Sequence, residues 1–160
     1  MISFRAQTEN HEAIELNNVS FNDHSQQIEE FISSNFKRNG VEIKRIVVVP
    51  RWSGTTDSDW YPHFFETLKK EYADIEIVKG ELCPNKDAPE IAASVESLLK
   101  LCKQFDENSL KNTLFIGHSV GCQIVMRTIE ALNNEKTTLI GAIALIAAWT
   151  DVDKRWPVSI

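Results

Sequence analysis

One serine in this chain stands where a serine can do chemistry. Ser119 is the centre of Gly117-His118-Ser119-Val120-Gly121, a G-x-S-x-G spacing set between an apolar run, Thr113 to Ile116, and a helical pattern from Val120 to Leu132. A strand, a tight turn and an immediate helix hold the central residue in a strained backbone with its hydroxyl presented outward. Glycine at 117 and at 121 lets neighbouring backbone approach that turn. The helix that follows aims free N–H groups, and the positive end of its dipole, at negative charge developing beside the serine. These residue types suit nucleophilic attack on a carbonyl, with the Val120 N–H as one oxyanion donor. The competing reading is a plain tight turn with Ser119 as a helix N-cap. No G-x-G-x-x-G follows a strand and no Walker A spacing occurs, which argues against a nucleotide site.

A second segment faces the same chemistry. Pro50-Arg51-Trp52-Ser53-Gly54 opens a loop that runs to Asp59-Trp60-Tyr61-Pro62 after another apolar run, Ile43 to Val49. In open α/β sheets ligands bind beyond the carboxyl ends of the strands, where strand order reverses. If the first and third strands are neighbours, this loop and Ser119 share one cleft, and N–H groups near Trp52 complete an oxyanion hole. Trp60 is expected to pack on the sheet.

Activation of a serine requires a base, and the base an orienting carboxylate. The four histidines are His11, His24, His63 and His118, and none follows Ser119. His118 lies inside the elbow, where its side chain is expected to diverge from that of Ser119 and to pack. His63 is expected on the surface of the helix after the loop, and His11 and His24 belong to a polar arm. Neither the histidines nor Cys83, Cys102 and Cys122 show paired ligand spacing, so neither metal nor organic cofactor is implied.

The elements that would position these groups alternate. Strands are expected at 43–49, 75–78, 113–116 and 139–148. Asp59 is expected to cap a helix reaching Tyr72, with Trp60, Phe64, Leu68 and Tyr72 on one face. Asp87, Pro89 and Glu90 should open a second helix, to Gln104, burying Ile91, Val95, Leu98 and Cys102. The strands are apolar throughout, as in a parallel sheet covered on both sides. The expected fold class is α/β, a three-layer α/β/α sandwich with a mainly parallel sheet. Residues 1–40 form a polar arm with a short amphipathic helix, Asp23 to Phe36; residues 41–160 form the α/β domain.

Composition narrows the rest. The chain has 160 residues, 42% of them hydrophobic, which is enough core for one domain. A net charge of −6 argues against nucleic acid, because phosphate binding needs clustered Lys and Arg. The longest apolar run, Leu139 to Trp149, is too short to span a membrane, and no segment reads as a signal peptide. A cytoplasmic location and a small-molecule substrate are the expectation.

Five landmarks together resemble a known family. Val47-Val48-Val49-Pro50, the loop to Asp59-Trp60-Tyr61-Pro62, Cys83-Pro84-Asn85, Gly117 to Cys122, and Ala147-Ala148-Trp149 are similar to the small serine hydrolases of the YdeN and retinoblastoma-binding hydrolase type. These are single-domain members of the α/β-hydrolase superfamily. The similarity spans residues 43 to 152. It implies Ser119 as nucleophile, Val120 and Trp52 as oxyanion donors, and cleavage of a small ester, amide or thioester through an acyl-enzyme. Arg51 stands where family members often carry glycine.

In that superfamily the order along the chain is Ser, acid, His. Asp151, with Asp153 beside it, follows the fourth strand and is the candidate acid; a solvated loop is the competing reading. The later strands that carry the family's Asp and His have no counterpart up to Ile160, so the expectation is a hydrolase incomplete at its C-terminal side. The alternative is a binding or interaction protein on a degenerate hydrolase scaffold, with a second copy or partner protein covering the edge of its sheet.

Overall fold

A computed structural model describes residues 42–79, 90–135 and 140–149. The expected arm and its helix, the segment with Cys83, Asp87 and Pro89, and Asp151 with Asp153 lie outside the described residues, as do His11 and His24. In chain order the described elements are β1 (Arg45–Val49), α1 (Tyr61–Glu71), β2 (Glu76–Lys79), α2 (Ile91–Cys102), α3 (Glu107–Lys111), β3 (Thr113–His118), α4 (Val120–Glu135) and β4 (Ala142–Ile146). The four strands form one parallel sheet in the order β2-β1-β3-β4. The class is α/β.

Burial explains the sheet. Ile46, Val47, Val48 and Val49 are all at 0% exposure, so β1 is covered on both faces and needs no polar alternation. Its even-numbered residues join Leu114, Ile116, Ala144 and Ile146 against Trp60, Tyr61, Phe64, Phe65 and Leu68 of the α1 region. Val47, Val49 and Phe115 point the other way, onto Ile91, Leu98 and Cys102 of α2 and Val120, Ile124, Val125 and Leu132 of α4. Each large apolar side chain so buried contributes about 1.5–3 kcal/mol relative to exposure.

The element boundaries shift where local chemistry intervenes. Asp59 does not cap α1. It takes the left-handed conformation (φ 56°), and Trp60 is the N-cap residue, without a side-chain cap bond. The Asp59 carboxylate is held instead by the Arg51 guanidinium at 2.7 and 3.1 Å, a bidentate, charge-assisted pair that occupies both of its oxygens. Likewise Glu90 precedes α2 without a side-chain cap bond, and Ser94 rather than Val95 completes its fully buried stripe. β3 runs two residues past the apolar stretch, because Gly117 and His118 still pair with Leu145 and Ile146. β4 is shorter than its apolar run and stops where Ala147 turns left-handed (φ 50°). The short α3 was not expected; Asp106 caps it, accepting from the Ser109 N–H at 2.8 Å.

The connections carry the functional consequence. From β1 the chain steps outward to β2, then crosses back to β3 on the other side of β1. Strand order therefore reverses between β1 and β3, and their carboxyl ends define the crevice of an open α/β sheet. The register brings Val49 opposite Gly117, so the loop after β1 and the elbow after β3 leave the sheet side by side.

Contact at this point is closest at Gly121. A Cβ there would overlap the Val49 carbonyl oxygen and come within 2.8 Å of the Pro50 carbonyl oxygen, backbone groups that cannot swing aside. Gly121→Ala gains about 1 kcal/mol of intrinsic helix propensity. Overpacking should outweigh this, giving a net destabilisation of about 1–3 kcal/mol in urea unfolding. A variant as stable as the wild type, or more so, would show that the contact is not limiting.

Candidate active site

Ser119 has φ 54°, a left-handed conformation that costs a residue with a Cβ roughly 1–2 kcal/mol. Three contacts hold it there. The Ser119 N–H donates to the Ile146 carbonyl at 2.8 Å, tying the turn to β4. Its own carbonyl accepts from the Cys122 N–H at 3.0 Å, closing the first turn of α4. Gly117 lies against Cys122 so closely that a Cβ would meet the Cys122 N and Cα at 2.8 Å. The elbow thus requires both glycines, and the strain falls on the serine.

Cys122 is buried beneath the turn, its Sγ within 3.2 Å of the Gly117 carbonyl and 3.3 Å of the Ile146 carbonyl. Burial pushes its thiol up to about 12, so it stays a neutral donor and is no competing nucleophile. Gln123, one residue on, donates through Nε2 to the Trp149 carbonyl and ties α4 to the segment after β4.

The loop after β1 is organised around Arg51. Its guanidinium spans both oxygens of Asp59 and also donates through Nη1 to the Trp52 carbonyl at 2.9 Å. Its carbonyl accepts from the Gly54 N–H at 3.0 Å, a turn in which Ser53 also has positive φ (53°). The bond to Arg51 holds the Asp59 carboxyl below its ordinary range. The Trp52 N–H has no acceptor among the described residues. Trp52 and Val120, from two different segments, both line a small cleft shared with Val49, Pro50, Ile91 and Ile124. The two residues read from sequence as oxyanion donors are therefore brought to one place.

His118 and His63 go elsewhere. His118 lies on the α1 face of the sheet, with its Nδ1 2.8 Å from the Tyr61 hydroxyl and its ring near those of Trp60 and Tyr61. His63 is exposed on α1. Trp60 packs in the core at 7% exposure, and its Nε1 has no hydrogen-bond partner among the described residues. Asp151 lies outside the described residues.

Sequence reasoning missed Tyr61 and the Arg51–Asp59 pair. Their partners lie across the loop or across the sheet, and residue spacing carries no signal of that. Among the described residues no group of three or more His, Cys, Asp or Glu is placed to hold a metal ion, and no helix is long and apolar enough to cross a membrane. No protein-family model matches the chain, and no curated protein matches it.

The Arg51–Asp59 pair carries a pH signature. Because the folded Asp59 carboxyl lies below its unfolded value, its contribution is complete above about pH 4 and is lost as pH falls through the folded value. The Arg51 side chain is 40% exposed, so solvent screening limits the effect to about 0.5–1 kcal/mol. Asp59→Asn, which still tolerates positive φ, should be less stable than the wild type by that amount at pH 7, with the difference shrinking as pH falls below about 4. Urea midpoints across this range check it, and a pH-independent difference would refute the electrostatic origin.

Proposed function

We propose that this chain is a serine hydrolase of the α/β-hydrolase type, with its helices and sheet forming a three-layer α/β/α sandwich. It would cleave a small ester, amide or thioester. Ser119 attacks the substrate carbonyl and forms an acyl-enzyme, while the Val120 and Trp52 N–H groups take the charge that develops on the carbonyl oxygen. The observation that carries this reading is the backbone of Ser119: a non-glycine residue held at φ 54° between two glycines, at the strand-order reversal. Strain of this kind persists only where surrounding structure enforces it, and it is the conformation a nucleophile elbow needs. The cleft lined by Trp52 and Val120 has an apolar side, Val49, Pro50, Ile91 and Ile124, and a polar side with Arg51, Ser53, Glu90 and Ser94, so it could take a small acyl group.

One observation favours a second reading, a binding protein on a hydrolase scaffold. The histidine next to Ser119 in the chain lies against Tyr61 and Trp60 on the α1 face of the sheet, its Nδ1 2.8 Å from the Tyr61 hydroxyl. The two readings part on reactivity. A fluorophosphonate probe should label Ser119, identified by peptide mass spectrometry, and Ser119→Ala should abolish the adduct. Hydrolysis of p-nitrophenyl acetate should fall about 100-fold or more in the same variant. A folded wild-type chain that takes no label, or an esterase rate unchanged in Ser119→Ala, would decide for the binding protein.

A further inference from the structure

The two oxyanion donors of the proposed site come from separate segments, and both lie beyond the last paired residues of β1 and β3, Val49 and Gly117. Sheet pairing alone does not set their separation. We propose that Tyr61 is a positioning residue whose hydroxyl braces the Trp52 loop against the Ser119 elbow, fixing the spacing of the two oxyanion donors. This rests on the reading of Ser119 as a nucleophile.

The hydroxyl is bonded on both sides. It accepts from the Arg51 N–H at 3.1 Å and lies 2.8 Å from His118 Nδ1. The Arg51 N–H can only donate, which leaves the phenol's own proton for Nδ1 in the tautomer of His118 that carries its hydrogen on Nε2. Burial, with Tyr61 at 0% exposure, raises the phenol's pKa and keeps the proton in place.

Each bond reaches one donor by a short covalent path. His118 immediately precedes Ser119 and is two residues from Val120. On the other side, Arg51 leads into the peptide that carries the Trp52 N–H. That peptide is trans, so anchoring its carbonyl to the Gly54 N–H turns the Trp52 N–H away from the loop's own turn. The Trp52 carbonyl is held by Arg51 Nη1, and the guanidinium by Asp59, two residues before Tyr61. The loop is therefore a closed, stiff unit, and the Tyr61 hydroxyl joins it directly to the elbow.

The test uses three variants of the whole chain. Tyr61→Phe removes only the hydroxyl, His118→Leu removes the acceptor, and His118→Asn puts an amide oxygen close to where Nδ1 was. With thermal unfolding measured alongside, Tyr61→Phe and His118→Leu should each slow fluorophosphonate labelling of Ser119 about 10- to 100-fold. The double variant should be no slower than either single one, since both break the same bond. His118→Asn should label about tenfold faster than His118→Leu. Equal loss in His118→Asn and His118→Leu would replace the brace with a plain packing role. If wild type takes no label, the nucleophile reading fails, and the brace is judged by hydrogen exchange instead. Tyr61→Phe should then speed exchange of the Arg51 and Trp52 amides tenfold or more. Labelling at the wild-type rate, or unchanged amide exchange, overturns the proposal.

Discussion

The contact between Gly121 and the end of β1 sets the rest of the site. Position 121 has room for a hydrogen and nothing larger, because the Val49 and Pro50 carbonyl oxygens occupy the space of a Cβ. That contact lets the first turn of α4 lie directly on β1 instead of standing off by the width of a side chain. Gly117 does the same for the strand beneath the turn, where Cys122 closes in. Between these two approaches Ser119 takes the left-handed conformation, tied to Ile146 and Cys122. The position of the Val120 N–H follows from the same two glycines. One packing constraint thus determines the placement of a hydroxyl and of an N–H donor.

Strain is distributed unevenly over the fold. Among the described residues four other than glycine have positive φ, namely Ser53, Asp59, Ser119 and Ala147, and all four lie in segments leaving the carboxyl ends of β1, β3 and β4. Three of these positions are visibly held. Asp59 is gripped by Arg51, the turn containing Ser53 is closed by the Gly54 N–H, and Ser119 is tied to Ile146 and Cys122. Ala147 directly follows Ile146, whose carbonyl accepts the Ser119 N–H. Conformations costing roughly 1–3 kcal/mol each persist where neighbouring structure over-determines them, and such residues cluster where geometry matters to function. All four lie at the carboxyl ends of the strands, the rim at which open α/β sheets bind their ligands.

Most of this frame was legible in the residues, and the failures have a common cause. Ile46 to Val49 and Leu114 to Ile116 are apolar without alternation, which only doubly covered strands require, and both lie where they were read. Gly117, Ser119 and Gly121 were legible because the elbow is a local device, complete within five residues. Asp59 was misread as a cap because its true partner, Arg51, sits eight residues back across a loop. Tyr61 and His118 are 57 residues apart, and no periodicity announces their bond. β4 was read too long because hydropathy continues through Ala147 although its backbone turns there. Local geometry and burial patterns can be read along the chain; pairings made by the fold cannot.

Serine catalysis makes two separate demands. Stabilising charge on a carbonyl oxygen requires fixed N–H dipoles; here glycine contacts hold the first turn of α4 on β1, and the buried Tyr61 hydroxyl accepts from the Arg51 N–H next to Trp52. Taking the serine proton requires a basic side chain, and the Nδ1 of the histidine nearest in sequence lies against the Tyr61 hydroxyl. These demands draw on different structure, so one can be met without reference to the other. Oxyanion stabilisation and substrate binding alone still accelerate acyl transfer by about 10³- to 10⁴-fold over water when triad members are removed. A hydrolase and a carbonyl-binding protein built on this frame would therefore share the elbow, the braced loop and the cleft. They would differ in a single proton acceptor, which makes the chemistry at Ser119, rather than the fold, the property that divides them.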